Sequence, residues 1–535
     1  MIRRPSRRLA TAVIFLLAAA GLATGAGSPA VAADSYARIS GTGSTWSQNA
    51  LDQWRTNVAT NYGMTVNYSG VGSSAGRRDF ISGTVDFAIS EIPFQSNPED
   101  GSQPETPTTS YAYMPIVAGG TSFMYNLKIG GKRVTNLRLS GATITRIFAG
   151  QITNWNDAAI KADNPGLAMP DKAIVPVVRS DGSGSSAQFS LWMSKQHGDI
   201  WKNGLRSQFP VPANGKAQNG SLGVAGYVSQ DYGEGAITYV EYSYALKSGF
   251  PVAKVLNSAG YYIEPTASSV AVAMMKARIN TDLTQILDDV YNNPDPRTYP
   301  LSSYSYMIVP TQVAGIFTTD KGRTLGAFAE YVLCEGQQQA EQLGYSPLPM
   351  NLVKAGSEQI KRIPGANTAG IDTNKCNNPT FKPGEDESNN QLALTAKQPA
   401  ACDKQGPDQC TTGTAGATGE TPVSGSGSGG SSAGAAGSAA AAGTAGAAAG
   451  DPAAATDAAA AAASADAPLY DSNGNLISGA SGGGVAAASS PFTLAEGGWG
   501  APQFLMLAAA ILLLGAIVTP PLTSRRLRRG SSTRP

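Results

Sequence analysis

An α/β fold is expected from three passages in which an extended run ends in a loop of small residues that opens directly into a helix pattern. The first is Gly41-Thr42-Gly43-Ser44-Thr45-Trp46, ahead of Ser47–Tyr62. The second is Tyr68-Ser69-Gly70-Val71-Gly72-Ser73-Ser74-Ala75-Gly76, and the third is Arg179-Ser180-Asp181-Gly182-Ser183-Gly184-Ser185. Strand ends that hand over to helices through such loops are where open α/β sheets build ligand crevices.

In chain order, the first segment is a targeting signal. Arg3, Arg4, Arg7 and Arg8 precede the apolar core Leu9–Ala20, and Val31-Ala32-Ala33 closes a run of small residues. This pattern predicts a secretory signal peptide over 1–33 with cleavage after Ala33. No cysteine follows the core, so lipid attachment there is not expected.

The next elements belong to the first two loops. Leu51, Trp54, Val58 and Tyr62 recur at helical spacing and predict an amphipathic helix. Thr65–Tyr68 alternates as a strand, and a helix then runs through Phe80 and Ile81 with Ser73 or Ser74 as its cap. Val85–Ile89 reads as another strand, ending at Ser90-Glu91. Farther along, the apolar run Ala173–Val178 leads through the third loop into the helix pattern Ser186–Lys195.

The chemistry of these loops points to an oxyanion. Gly and Ser let backbone N–H groups approach closely, and each helix start adds unpaired donors and positive dipole. Arg179 supplies full charge and a fork of donors suited to a tetrahedral oxyanion. Other residues are read as structural: Trp155 in a turn, Arg77-Arg78 on an exposed helix face, Asp86 holding backbone, and His197 at the surface.

At 535 residues the chain exceeds one domain, and its charged fraction of 14% is low. The deficit is local. Residues 411–467 are nearly all Ala, Gly, Ser and Thr, so 411–500 is read as a low-complexity stalk. A flexible chain of about 90 residues has an r.m.s. reach of about 50 Å. Ala501–Thr519 carries no charge and, at about 1.5 Å per residue, is roughly long enough to cross a bilayer. Arg525, Arg526, Arg528 and Arg529 then place the tail 520–535 in the cytoplasm. A net charge of +1 gives no reason to expect nucleic acid.

Cys334, Cys376, Cys402 and Cys410 lie on the secreted side and allow three full pairings. Cys334–Cys376 and Cys402–Cys410 are favoured, the first pinning the end of the globular part and the second closing a small loop in the extension 373–410. Their spacing does not suggest a metal site, and no cofactor is expected.

The segments GTGSTW, NYSGVGSSAGRRDFISGTVDFAISE, IFAGQITNWND, RSDGSGSSAQF and ITYVEYSYA stand in the order and approximate spacing found in another group of proteins. From about Tyr36 to Gly370 the chain resembles the phosphate-binding proteins of bacterial phosphate-specific ABC transporters. The resemblance implies a two-lobe substrate-binding-protein fold (type II) with a two-strand hinge. Lobe one would comprise 36–120 plus 305–372 and lobe two 121–304, with crossings in Pro115–Tyr125 and Tyr299–Pro310. It implies phosphate ligands at Thr45, the N–H of Trp46, Ser73, Glu91, Arg179, Ser183, Gly184 and Ser185, with Asp181 orienting the arginine. Three positions depart from the family: Trp46 replaces Phe, Glu91 replaces Asp, and Ser185 replaces Thr.

Glu91 would discriminate anions. Phosphate near neutral pH carries a proton that a carboxylate can accept, whereas sulfate carries none, and sites that recognise a hydroxyl punish its absence. The expected function is extracytoplasmic capture of inorganic phosphate and delivery to an ABC permease, from a membrane tether at 501–519. A tethered scavenger or sensor without transport suits the same features. A surface phosphatase would need a nucleophile with a base or a metal, and the single histidine lies outside all three loops.

Overall fold

Eight strands join in one sheet: β1 (Ile39–Gly43), β2 (Val66–Gly70), β3 (Phe87–Ser90), β4 (Tyr111–Tyr125), β5 (Val175–Arg179), β6 (Lys216–Gln218), β7 (Ala236–Glu241) and β8 (Ser302–Pro310). Their order is β2-β1-β3-β8-β4-β7-β5-β6. The computed structural model describes residues 36–99, 101–420 and 423–424, with the backbone of Leu469–Tyr470 and Leu476–Ser478, which pair as a short antiparallel ribbon. The expected signal peptide, most of the expected stalk, the span 501–519 and the basic tail lie outside the described residues. No helix among the described residues is long and apolar enough to cross a membrane.

Strand β1 is parallel to β2 and β3, and β5 is parallel to β6 and β7. The long β4 joins the two groups: residues 111–120 pair antiparallel with β8 and residues 121–125 with β7. All of β4 except its first residue is buried, which explains its nearly unbroken apolar sequence. Gly119, in mid-strand, leaves room for the Trp46 ring, which a Cβ there would approach to 2.7 Å.

The register sets the two groups face to face. Ser90 at the end of β3 lies opposite Tyr306, while Glu241 at the end of β7 lies opposite Thr121. The carboxyl ends of both parallel groups therefore converge on the crossing strands β4 and β8. Apolar side chains divide accordingly. One core gathers Trp46, Trp54, Phe87, Met114 and Phe328, and another gathers Phe123, Phe148, Trp155, Phe189 and Tyr239. The molecule is thus a two-lobe α/β structure with its cleft at the strand ends.

Helices α1 (Gln48–Tyr62), α2 (Ser73–Ile81), α3 (Gly184–Gln196) and α4 (Gly220–Ser229) follow β1, β2, β5 and β6. Farther along come α5 (Tyr242–Ser248), α6 (Ala267–Met274), α7 (Thr319–Leu333) and α8 (Gln391–Leu394). Helix α1 buries Leu51, Trp54 and Val58 and stops at Gly63, whose φ of 67° places it in the left-handed region. Helix α2 corrects the expected cap. Gly72, at φ 92°, precedes the helix without a side-chain cap, and Ser73 and Ser74 sit inside the first turn. The Ser73 hydroxyl is engaged by Glu91 instead.

Three further expectations change. Arg77 is not on an exposed face: it is buried, paired with Glu105 at 2.7 Å and bonded to Ser90 Oγ at 2.9 Å. Only Arg78 is exposed. His197 is half-buried at the end of α3, edge-on to Trp192, and desolvation lowers its pKa. The packed extension also runs past residue 410, where the stalk was expected to start. Thr414 and Ala417 are buried, Thr414 Oγ1 bonds the Val252 carbonyl, and Val423 joins the second core. Trp155 and Asp86 take the structural roles expected: the indole N–H donates to the Gly235 carbonyl, and the carboxylate accepts from Ser40 N.

Both disulfides are present, Cys334–Cys376 and Cys402–Cys410. Between them the extension crosses the molecule. Asn378 Nδ2 donates to the Leu333 and Leu348 carbonyls beside the first core. Arg297 then donates to the Ala393 and Ala396 carbonyls. Finally Arg138 holds the Cys402 and Asp408 carbonyls, next to the Lys254–Asp403 pair at 2.7 Å.

Candidate functional site

The three small-residue loops meet at the convergence of strand ends. Thr45, Ser73, Glu91, Arg179, Ser183 and Ser185 are each no more than 5% exposed, although every one is polar. Buried polar groups need partners, and some of them here come from across the cleft. Ser74 N donates to the Gly182 carbonyl at 3.1 Å, Gly184 N to Ser73 Oγ at 3.1 Å, and Gln188 Nε2 to the Glu91 carbonyl at 2.8 Å. The two walls are in contact.

Arg179 ends β5 and is aimed by Asp181. Its Nε donates to Asp181 Oδ1 at 2.7 Å, its Nη2 pairs with Oδ2, and its Nη1 donates to Ser221 Oγ at 3.2 Å. Of five N–H donors, three are thereby assigned, and the outer guanidinium edge keeps two. Burial pushes the Asp181 carboxyl up, but Arg179's charge and hydrogen bonds, with Gly220 N at 2.9 Å, outweigh it and hold Asp181 below the usual carboxylate range. The pair stays ionised near neutral pH.

Glu91 follows β3 and is held from both sides. Ser73 Oγ donates to its Oε2 at 2.7 Å, and Ser305 Oγ to its Oε1 at 2.6 Å. Ser305 lies at a register shift of β8 against β4, between Ser305 and Tyr306. Both carboxylate oxygens of Glu91 thus accept a serine O–H. Besides the charge of Arg179, an oxyanion site needs dipoles and hydrogen bonds.

The third loop supplies such dipoles. Ser183 caps α3, its Oγ accepting from Ser186 N at 3.2 Å. Ser185 Oγ is buried with no hydrogen-bond partner, in the first turn of that helix. A side chain on Gly184 would overlap Glu91 Oε2, which explains glycine at this point. An unpartnered hydroxyl, a helix start and a guanidinium edge are the kinds of donor an oxyanion site needs.

Trp46 takes a different role from the one expected of its N–H. That N–H donates to Ser44 Oγ at 2.9 Å within its own loop, and the indole packs edge-on to Tyr345 with Nε1 3.3 Å from Thr121 Oγ1. Thr45, Ser73, Glu91, Arg179, Asp181, Ser183, Gly184 and Ser185 are brought together. Two residues were missed. Ser221 opens α4 after β6 in Asn219-Gly220-Ser221, a fourth loop of the same kind that the sequence does offer as a signal. Ser305 carries no local signal, because only the register of β8 directs it to Glu91.

The family model described as a PBP superfamily domain matches residues 23–335. A phosphate-binding protein PstS of Xylella fastidiosa is 34% identical over 324 residues, covering 59% of this chain and 83% of that protein. The phosphate-binding protein PstS 2 of Mycobacterium tuberculosis is 32% identical over 316 residues, covering 57% and 82%. Among solved structures, a phosphate-binding protein from Stenotrophomonas maltophilia aligns with a TM-score of 0.45 at 17% identity, covering 59% of this chain and 92% of that one.

Proposed function

Because the chain belongs to the PstS phosphate-binding proteins of the PBP superfamily, we propose that its cleft captures inorganic phosphate outside the cytoplasm and delivers it to an ABC permease. The observation that carries this reading is a buried donor fork and a buried acceptor on two walls that touch. Arg179, oriented by Asp181, offers N–H groups to phosphate oxygens, and Glu91 offers a lone pair to the proton that phosphate retains. Thr45 serves from lobe one (36–120 plus 305–372), where Ser73 holds Glu91, and Ser183 and Ser185 serve from lobe two (121–304), where the Gly184 N–H turns to Ser73. A ligand touching both walls stabilises the closed state and so shifts an open–closed equilibrium.

Capture rather than hydrolysis suits these residues. The two carboxylates of the site are already engaged, Asp181 by Arg179 and Glu91 by Ser73 and Ser305. His197 ends a helix of 13 residues whose start holds the site, about 20 Å away. The signal segment 1–33, the apolar run 501–519 and the arginines after it support a tethered protein with its binding domain on the extracytoplasmic side.

Calorimetric titration of the anion-free full chain with phosphate tests the reading. One-to-one binding is expected, with at least a hundredfold loss in Arg179→Ala, on the order of 3 kcal/mol for a charged hydrogen-bond donor. Heat of binding unchanged by that substitution contradicts it.

A further inference from the structure

Ser221 touches Thr45 on one wall of the cleft and Arg179 on the other. Its Oγ accepts from Arg179 Nη1 at 3.2 Å and lies 2.9 Å from Thr45 Oγ1, while its backbone N–H donates to the same Thr45 Oγ1 at 3.0 Å. Thr45 comes from the loop after β1 and Ser221 from the start of α4, 176 residues away in sequence. All three residues are buried, so none of these bonds is shared with bulk water. The backbone around them is fixed as well. Gly220 N donates to Asp181, and Tyr244 OH donates to the Thr45 carbonyl at 2.5 Å.

A hydroxyl has one proton and two lone pairs. When the Thr45 O–H donates to an anion, both of its lone pairs are free to accept, and Ser221 presents two donors, its N–H and its O–H. The Ser221 oxygen in turn accepts from Arg179. A directed chain results: guanidinium N–H to Ser221, Ser221 O–H to Thr45, Thr45 O–H to the anion. Each link polarises the next in a dry environment. We propose that Ser221 is a positioning residue for anion capture, which commits the Thr45 hydroxyl to donate and couples it across the cleft to Arg179. The proposal rests on the phosphate reading of the same site. It explains how a neutral threonine on one wall shares the arginine charge of the other.

The test is a double-mutant cycle in phosphate affinity, using Ser221→Ala and Thr45→Val in the full chain. Ser221→Ala is expected to weaken phosphate binding about tenfold, the scale of one buried hydrogen bond. In the Thr45→Val background, Ser221→Ala should cost less than threefold, because the hydroxyl it directs is gone. A residue that merely starts α4 would give equal losses in both backgrounds, and that result overturns the proposal. So does an unchanged affinity in Ser221→Ala with phosphate bound by the unsubstituted protein. If the unsubstituted protein binds no phosphate, the reading of the site itself is wrong and the proposal falls with it. Thermal melts of the anion-free variants, expected to agree within a few degrees, keep a folding defect from passing for a binding one.

Discussion

Glu91 is one methylene longer than the aspartate usual in the resembling family, and the structure shows where that length goes. Ser305 on β8 holds Oε1 while Ser73 on α2 holds Oε2, so the longer carboxylate is anchored at both oxygens. A second buried carboxyl behaves differently. Glu241, at the end of β7, accepts from Ser243 N at 2.7 Å through Oε2, but its Oε1 has no partner. Desolvation raises its pKa well above the usual carboxylate value. The folded state then holds a proton that the unfolded chain gives up. Stability from this group is fully present below the unfolded pKa and is lost as pH rises toward the folded one. Glu241→Gln keeps the acceptor for Ser243 N and removes the titration. It is expected to raise Tm by a few degrees near neutral pH and to leave it unchanged at pH 4. Thermal melts across that range check it, and parallel pH profiles for both proteins would contradict the assignment.

At the scale of elements, the start of α3 decides whether the cleft shuts. Gly184 has ordinary helical geometry, so alanine there suits the helix. Its Cβ, however, would overlap Glu91 Oε2 and lie 2.7 Å from Ser73 Oγ. Gly184→Ala is therefore expected to keep or raise Tm while weakening phosphate binding by roughly 10- to 100-fold, the scale of about 1–3 kcal/mol for overpacking. Equal affinity would show that the walls do not close as described. The loops that form this site were legible because Gly, Ser and Thr cluster at strand ends, and the loop after β6 carries the same mark. Ser305 and the partner of Arg77 were not legible. Ser305 owes its direction to a register shift in β8, and Glu105 reaches Arg77 from 28 residues away. Long-range pairing of that kind leaves no periodicity in a single sequence. The crossing strands were visible as apolar runs, whereas the local bond from Trp46 N to Ser44 Oγ was not.

Across the whole described molecule, the extension after residue 372 is a structural part of the binding domain. It starts at the Cys334–Cys376 bridge, packs α8 on α6, clasps Arg138 and Lys254, and runs on to Thr414 and Val423 against the second lobe. Asp403→Ala leaves Lys254 unpaired in a site where each side chain is 11% exposed. A loss of about 3 kcal/mol is expected from an uncompensated buried charge. Urea unfolding measures it, and an unchanged midpoint would mean that the extension is held by its other contacts alone.

If Glu91 reads the phosphate proton, one measurement shows it directly: competitive titration of phosphate and sulfate against the anion-free protein and its Glu91→Gln variant. The unsubstituted protein should bind phosphate at least a hundredfold more tightly than sulfate, and the variant should lose most of that ratio as its phosphate affinity falls. A ratio untouched by Glu91→Gln would contradict the account, because discrimination would then lie elsewhere in the cleft.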